Sequence, residues 1–384
     1  MESAKEMVYN KFQMNKEGVM RNQKRGYLVF SFAVILILGL LFPVSYGSAA
    51  DKKMIFKHPL KFASWFPSMH WFPKYEKELI KKLEDASDDQ IKIQFYGSQS
   101  LGKIMEQYEM VMDGVSDISG CVPIAYEADK LPLTSIVEYP FVWKSAEVGT
   151  KVFWELYDKG YLKDEYKDFK LIAYWSCAVM QVFTADARLD TVEDYKGKKF
   201  LAGGATMYKA FKQIGAIPIR MGYPDVYTAL QRGTLDGATG NFFATSHGLR
   251  WPEQCKYAWK LDISDGYGLV IGVNNDVWKK LPADIQTAWL KIGREMSMKF
   301  AKVHDTLTGK GKEAWEKSKK SEVIEMSQQE IDRMATKLLP VWQKWIDDNE
   351  AKGRPAKEVY KTYVKIMKEL GRPVIMKLPG LYEE

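Results

Sequence analysis

From about residue 54 onward, apolar residues follow the spacing of strands in some segments and of helices in others. Ile91, Ile93 and Phe95 are separated by polar residues, which predicts a strand with one buried face. Apolar residues three and four positions apart predict helices in segments 75–83, 104–115, 207–214 and 226–230. Segment 198–240 is therefore predicted to run strand, helix, strand, helix, strand, the unit of a parallel sheet covered by helices.

The C-terminal third is predicted to be mainly helical. A long apolar stripe begins after Pro282, and Ser327 with Glu330 has the spacing of a capping box that opens a further helix. The last stripe covers residues 359–370 and ends at Gly371.

The first fifty residues have the order of a secretory signal. Lys24 and Arg25 precede an uncharged apolar run at 27–44, and the small residues Ser48, Ala49 and Ala50 follow it. We expect export to the periplasm, with cleavage after Ala50. The alternative is a membrane anchor, because the apolar run just reaches spanning length. The start codon stays open among Met1, Met14 and Met20.

Composition narrows the class of protein. With 46% hydrophobic and 13% aromatic residues in 384, the chain is expected to fold into a large core. The net charge of +7 is small beside 49 acidic residues, so no nucleic-acid partner is expected. Cys121, Cys177 and Cys255 are an odd, sparse set, which favours buried small residues over the alternative of one disulfide and a spare thiol.

The chain lacks the usual signatures of catalysis and of metal binding. Its four His are scattered along the sequence, at positions 58, 70, 247 and 304. The glycines at 266–272 lie inside an apolar run, whereas a dinucleotide loop needs them between a strand and a helix. We therefore expect no catalytic residues, no metal and no cofactor.

The turn at residues 203–206 is a candidate anion-binding site. Gly203, Gly204, Ala205 and Thr206 join a predicted strand to a predicted helix. The free backbone N–H groups of such a helix start can bind an anion without a basic side chain. The alternative interpretation is a tight strand–helix turn with no ligand.

Several phrases of the sequence, in order, resemble the DctP-like extracytoplasmic solute-binding proteins of tripartite ATP-independent periplasmic (TRAP) transporters. They are 97–102 (GSQSLG), Glu106, 111–118 (VMDGVSDI), 139–141 (YPF), 192–199 (VEDYKGKK), 215–218 (GAIP), 225–237 (DVYTALQRGTLDG), 275–278 (NDVW) and 281–282 (LP). The similarity covers nearly all of residues 54–350.

The resemblance implies an α/β fold of the two-lobed periplasmic-binding-protein type. Each lobe is expected to have a mainly parallel sheet flanked by helices, with C-terminal helices packed across both lobes. We place a signal peptide at 1–50, lobe one at 51–172 with 264–300, lobe two at 173–263, and a C-terminal helical segment at 301–384.

The sequence departs from the family at the residue that usually binds a ligand carboxylate. Members of the family commonly carry an Arg after the 196–199 phrase, and Leu201 stands at that position here. A buried carboxylate without a cation is costly, so we expect a ligand that is less anionic or more aromatic than the usual carboxylates. Alternatively, an acid group lies on the Gly204–Thr206 helix start. An aromatic box for an ammonium group is a further alternative.

Candidate ligand-binding residues follow from the same mapping and from the supply of aromatic side chains. They are Trp65, Cys121, Glu127, Trp175, Gln181, Leu201, Gly204, Thr206, Gly240, Asn241 and Phe242.

The resemblance implies a periplasmic receptor without catalysis, which captures a small organic solute and delivers it to the small and large TRAP membrane subunits. An exported enzyme that uses the same cleft, or a receptor that feeds a signalling protein, is the alternative.

Overall fold

The computed structural model describes residues 53–241, 246, 248–264, 267–318 and 320–383. The apolar run at 27–44, the expected cleavage site after Ala50 and the candidate Phe242 lie outside these residues. Within them, no helix has both the length and the apolar character needed to cross a membrane.

The described part contains eleven strands and nine α-helices. The strands are β1 (Leu60–Ala63), β2 (Ile93–Tyr96), β3 (Ile118–Pro123), β4 (Phe169–Ser176), β5 (Met180–Thr184), β6 (Lys199–Leu201), β7 (Ile217–Ile219), β8 (Gly237–Gly240), β9 (Tyr257–Ser264), β10 (Gly268–Asn274) and β11 (Glu322–Glu325). The helices are α1 (Pro73–Asp85), α2 (Gln107–Met112), α3 (Ala146–Asp158), α4 (Ala205–Gln213), α5 (Tyr223–Gln231), α6 (Asn275–Lys280), α7 (Ala283–Glu316), α8 (Gln328–Glu350) and α9 (Ala356–Glu369).

These strands form two sheets. The first has the order β2-β1-β3-β10-β4, and the second has the order β11-β9-β5-β8-β6-β7. The parallel pairing predicted for segment 198–240 is present, because β6 pairs in parallel with β7 and with β8. The two-lobed α/β fold class is confirmed.

Both sheets are mixed, and the two chain crossings between them are the reason. The chain leaves the first sheet after β4 and enters the second at β5, then returns from β9 to β10 in the opposite direction. Consequently β10 is antiparallel to β4, and β9 is antiparallel to β5. The backbone N–H of Cys177 donates to the Tyr267 carbonyl at 2.9 Å, which ties the two crossings together.

Two helix predictions are confirmed at their caps. The backbone N–H of Glu330 donates to the Ser327 hydroxyl oxygen at the start of α8, and Gly215 ends the α4 region with a φ of +86°. The helix predicted over 104–115 is shorter than expected, because a 3₁₀ turn (Ile104–Glu106) precedes α2.

The C-terminal helices pack across both lobes, as predicted. Helix α7 packs on β4 of the first sheet and on β11 of the second. From α8, the indole N–H of Trp342 donates to the Pro140 carbonyl at 3.0 Å in the first lobe. Strand β11 was not predicted, and it adds to the second sheet from within this C-terminal segment. The exact lobe boundaries stay predictions.

Candidate ligand-binding cleft

The two lobes meet where the first-sheet turn after β3 faces the start of α4. Gly204 precedes α4, and a Cβ placed on it would lie 3.0 Å from the Cβ of Ala125 and 3.5 Å from its carbonyl oxygen. Ala125 lies in the 3₁₀ turn Ile124–Tyr126 that follows β3. Ligands of open α/β sheets bind beyond the carboxyl ends of the strands, and this junction lies there in both lobes.

Three tyrosines, here called the tyrosine trio, line this junction. Tyr126 ends the turn after β3, Tyr223 begins α5, and Tyr267 immediately precedes β10. The hydroxyl oxygens of Tyr126 and Tyr267 lie 3.4 Å apart, within hydrogen-bonding distance. The ring centroid of Tyr267 lies 6.0 Å from that of Tyr126 and also 6.0 Å from that of Tyr223.

The glycine at position 203 leaves room for the trio. A Cβ there would lie 2.6 Å from the Tyr223 hydroxyl oxygen and 2.8 Å from that of Tyr267. Any larger residue would displace these hydroxyls. The Gly203-Gly204 pair therefore allows the backbone of lobe two to approach both the trio and lobe one.

Glu138 is a buried acid beside the trio. Glu138 is the last residue of the 3₁₀ turn Thr134–Glu138, and it is only 7% exposed. Its Oε1 accepts a hydrogen bond from the backbone N–H of Gly268 at 2.7 Å. Burial raises the pKa of Glu138 to about 7, although the Gly268 N–H opposes this shift. Burial also raises the pKa of Tyr126 and Tyr223, and the nearby Glu138 carboxylate adds to both shifts.

A second buried acid lies beneath the first sheet's carboxyl edge. Ser64 donates its hydroxyl to Glu76 Oε2 at 2.8 Å, and the Cys121 thiol donates to Oε1 at 3.6 Å. Burial raises the pKa of Glu76 to about 8. The indole N–H of Trp65 donates to the Cys121 carbonyl at 2.9 Å. Two sequence candidates, Trp65 and Cys121, are thus brought together at this edge.

Other candidates in lobe one have partners of their own. Glu127 is paired with Lys130 at 2.9 Å, and burial raises its pKa although Lys130 opposes the shift. Trp175 is fully buried and packs between Phe72 and Phe300, with ring centroids 5.1 and 4.8 Å away. The structure therefore gives Trp175 a place in the core of lobe one.

Leu201 and Gln181, both on strands of the second sheet, are also buried. Leu201 belongs to an apolar cluster that includes Phe183, Val226 and Trp251. The Gln181 side chain bridges an irregularity in the pairing of β5 with β9, where its carbonyl oxygen accepts from the N–H groups of Leu261 and Asp262. Both side chains are thereby engaged in packing or backbone support.

The remaining candidates lie near the junction or at the end of β8. Gly204 and Thr206 belong to the start of α4, and the Thr206 side chain is buried. Gly240 pairs with Gln181, and the Asn241 carbonyl accepts from the N–H and the hydroxyl of Ser246. Phe242 is outside the described residues.

The cleft lacks a buried basic side chain. No Lys or Arg is buried among the described residues. The neighbouring segments 242–247 and 265–266 contain neither residue type in the sequence. A buried guanidinium clamp for a carboxylate is thus absent from this part of the chain. The same described residues hold no group of three His, Cys, Asp or Glu that could bind a metal ion.

Sequence reasoning missed three residues of this junction: Glu138, Tyr223 and Tyr267. Glu138 directly precedes the 139–141 phrase, and Tyr267 lies among the glycines at 266–272, which were considered only as a dinucleotide loop. No periodic pattern in the sequence indicates that Glu138 and Tyr267 lie close together, because their contact depends on the return of the chain from lobe two to lobe one.

Comparison with known proteins agrees with this architecture. The model of the bacterial extracellular solute-binding protein family 7, DctP, matches residues 63–348. The C4-dicarboxylate-binding periplasmic protein DctP of Rhodobacter capsulatus is 28% identical over 249 residues, which are 64% of this chain and 70% of that protein. The chain spans about half the length of some other curated relatives, 51% and 49% in two cases.

Two solved structures are similar over most of the chain. A TRAP periplasmic solute-binding protein from Desulfovibrio salexigens has 25% identity and a TM-score of 0.73, covering 82% of this chain and 97% of that one. A TRAP solute-binding protein from Rhodoferax ferrireducens, in complex with copurified benzoate, has 23% identity and a TM-score of 0.74, covering 82% and 98%. The sequence resemblance to the TRAP receptors is therefore confirmed.

Proposed function

The chain belongs to the bacterial extracellular solute-binding protein family 7, and from this membership we propose that it is a periplasmic receptor of a TRAP transporter. It captures a small organic solute between its lobes and delivers it to the small and large membrane subunits. The observation that carries the proposal is the junction at Gly204 and Ala125, where polar groups of both lobes converge.

Lobe closure supplies the mechanism. Among the described strands, the chain passes between the two sheets from β4 to β5, from β9 to β10 and through the C-terminal segment that contains β11, so the lobes can hinge about these connections. A solute that touches Tyr126 in lobe one and Tyr223 in lobe two binds the closed form better than the open form. That difference in affinity shifts the population toward the closed state, which is the form that a membrane subunit can distinguish.

The solute is less anionic or more aromatic than the usual carboxylates. Burying a carboxylate without a cation costs several kcal/mol, roughly 3–5 when one partner of a pair is missing. The absence of buried Lys and Arg from the described residues supports this class of ligand. Three tyrosine rings and hydroxyls offer apolar surface with hydrogen-bonding ends instead.

The test is mass spectrometry of small molecules released by denaturing the purified full chain, exported by its own N-terminal segment. The expected result is one aromatic or weakly charged compound in near-stoichiometric amount. A thermal-shift panel of aromatic, neutral and carboxylate solutes repeats the test on protein that has been unfolded and refolded without ligand. A receptor that binds no solute in either experiment would contradict the proposed function.

A dicarboxylate in the same experiments would keep the receptor function and overturn the ligand class. It would place the acid group at the start of α4, where backbone N–H groups are the donors.

A further inference from the structure

The proposed function leaves open which chemical group of the solute the cleft selects. We propose that Glu138 and the tyrosine trio form a subsite for a protonated primary or secondary amine of the solute. This inference rests on the proposed receptor function and specifies the ligand class of the same cleft.

Glu138 differs from the other buried acids in what it binds. The buried carboxylates among the described residues are Glu76, Glu127 and Glu138. Glu76 has two side-chain donors, and Glu127 has the Lys130 ammonium. Within the described part of the chain, the one hydrogen-bond donor to Glu138 is the Gly268 backbone N–H, on Oε1. Its Oε2 accepts no hydrogen bond from any described residue.

A buried carboxylate with one free oxygen favours a cationic donor. Burial raises the pKa of Glu138, and among the described residues no basic side chain counteracts that shift. An unpaired buried charge is costly, and a cation supplied by the ligand removes the cost. The ligand would thus complete an ion pair for which the protein itself supplies only the anion.

The neighbours of Glu138 suit the same chemical group. The turn Thr134–Glu138 packs against the turn Ile124–Tyr126, and the Glu138 carboxylate accepts from the N–H of Gly268, the residue that follows Tyr267. Aromatic rings attract cations to their faces, and tyrosine hydroxyl oxygens can accept hydrogen bonds from N–H groups. The Tyr267 ring centroid lies 6.0 Å from those of Tyr126 and Tyr223, so the trio offers both ring faces and hydroxyl oxygens to a cation.

The free oxygen also decides between kinds of amine. Oε2 needs a hydrogen-bond donor, and a protonated primary or secondary amine has N–H groups to donate. A quaternary ammonium has none, so it could use the rings but would leave Oε2 unsatisfied. We therefore assign the subsite to amines that carry N–H.

The experiment uses three phenols of similar size, namely tyramine (cationic), tyrosol (neutral) and 4-hydroxyphenylacetate (anionic). Choline is the fourth probe, a cation without N–H groups. Tyramine and tyrosol differ only in an ammonium against a hydroxyl, so their comparison isolates the charge. Calorimetric titration of the full chain, stripped of copurified solute, is expected to give tyramine at least about tenfold tighter binding than tyrosol, the factor that a charge-assisted hydrogen bond provides. Choline and 4-hydroxyphenylacetate are expected to bind more weakly than tyramine.

Glu138→Gln tests the residue itself. Glutamine keeps an acceptor for the Gly268 N–H but loses the charge, so tyramine should lose about tenfold in affinity while tyrosol changes little. Glu165→Gln is the matched control, because Glu165 also accepts backbone N–H bonds, from Leu133 and Thr134. This control should keep the preference for tyramine. If Glu138→Gln does not fold, Tyr126→Phe, which removes one hydroxyl of the trio, should weaken tyramine more than tyrosol.

Four outcomes would overturn the inference. They are equal binding of tyramine and tyrosol, tightest binding of 4-hydroxyphenylacetate or choline, an unchanged preference in Glu138→Gln, and no binding of any primary amine. A copurified solute without an amine would also overturn it while leaving the receptor function intact. Failure of the receptor function is distinct, since no solute of any charge would then bind.

Discussion

The Gln181 side chain donates a hydrogen bond from Nε2 to Asp262 Oδ1 at 2.7 Å, joining the two strands that lead into the crossings between lobes. Its Oε1 accepts from the N–H groups of Leu261 and Asp262 at 2.9 and 3.0 Å. Asp262 has a φ of +53°, so this part of β9 departs from regular strand geometry. One buried amide thus satisfies two backbone N–H groups at the irregular pairing and one oxygen of the Asp262 carboxylate.

Gln181→Ala is therefore expected to destabilise the protein by about 2–4 kcal/mol, because several buried polar groups lose their partner at once. Chemical denaturation of purified protein measures this change. Gln343→Ala is the control: Gln343 is paired with Asp347 on the exposed face of α8, and its loss should cost about 0.5 kcal/mol or less. An unchanged stability with a large loss of solute binding would instead assign Gln181 to the ligand.

Gly204→Ala should weaken solute binding without unfolding either lobe. The added Cβ would lie 3.0 Å from the Ala125 Cβ, so it opposes closure of the lobes. Overpacking of this kind costs about 1–3 kcal/mol, which corresponds to roughly fivefold to a hundredfold in affinity for the closed form.

Gly309→Ala on α7 is the matched control for that substitution. A Cβ at position 309 meets nothing within 4 Å, so affinity should stay the same. Titration calorimetry with the copurified solute compares the two variants. Equal affinities would show that in the bound form the lobes lie farther apart at Gly204 and Ala125 than in this structure.

Leu201→Arg is expected to destabilise lobe two instead of creating a carboxylate site. Leu201 is fully buried in an apolar cluster with Phe183 and Trp251. Placing a guanidinium there costs several kcal/mol, unless the cluster rearranges to admit water. Leu201→Met, a swap of similar volume, should cost less than about 1.5 kcal/mol. Thermal unfolding with and without succinate tests both variants, and a gain of succinate binding in Leu201→Arg would place this side chain in the cleft.

The pH dependence of stability should reveal Glu76. Burial raises its pKa from 4.5 to about 8 in the folded protein, so the folded state holds a proton that the unfolded state releases above pH 4.5. The stability that this proton contributes is complete below pH 4.5 and is lost as the pH rises through 8. Glu76→Gln should remove the part of that slope that Glu76 contributes between about pH 5 and 8, whereas Glu138, whose pKa burial raises to about 7, keeps its own part. Denaturation at several pH values measures the change in slope.

Glu78→Gln on the same helix is the control for the Glu76 experiment. Glu78 is an exposed-face residue of α1 paired with Lys299 at 2.6 Å, and loss of a surface pair changes stability by about 1 kcal/mol or less. Its variant should keep the slope of the unsubstituted protein. A slope in Glu76→Gln as steep as that of the unsubstituted protein would contradict the assignment.

The sequence patterns predicted local elements well because those elements depend on near neighbours in the chain. The structure has a strand where apolar residues alternate around Ile93. It has helices where the apolar stripe ends at Gly215 and where Ser327 forms the cap. Strand β11 was missed because its four residues pair with β9 from a distance, and no periodic signal accompanies so short a strand.

The sequence by itself determined the fold class, the family and the departure at Leu201 from the family's usual Arg, since these follow from motifs and residue types. The tertiary structure alone decided which side chains meet between the lobes. Tyr126 and Glu138 are far in the chain from Tyr223 and Tyr267, and the return from β9 to β10 brings them together. The tertiary structure also decided the direction of the Leu201 and Trp175 side chains. Both point into apolar cores because neighbouring strands and helices cover them. The spacing of residues along one strand does not specify which face is covered.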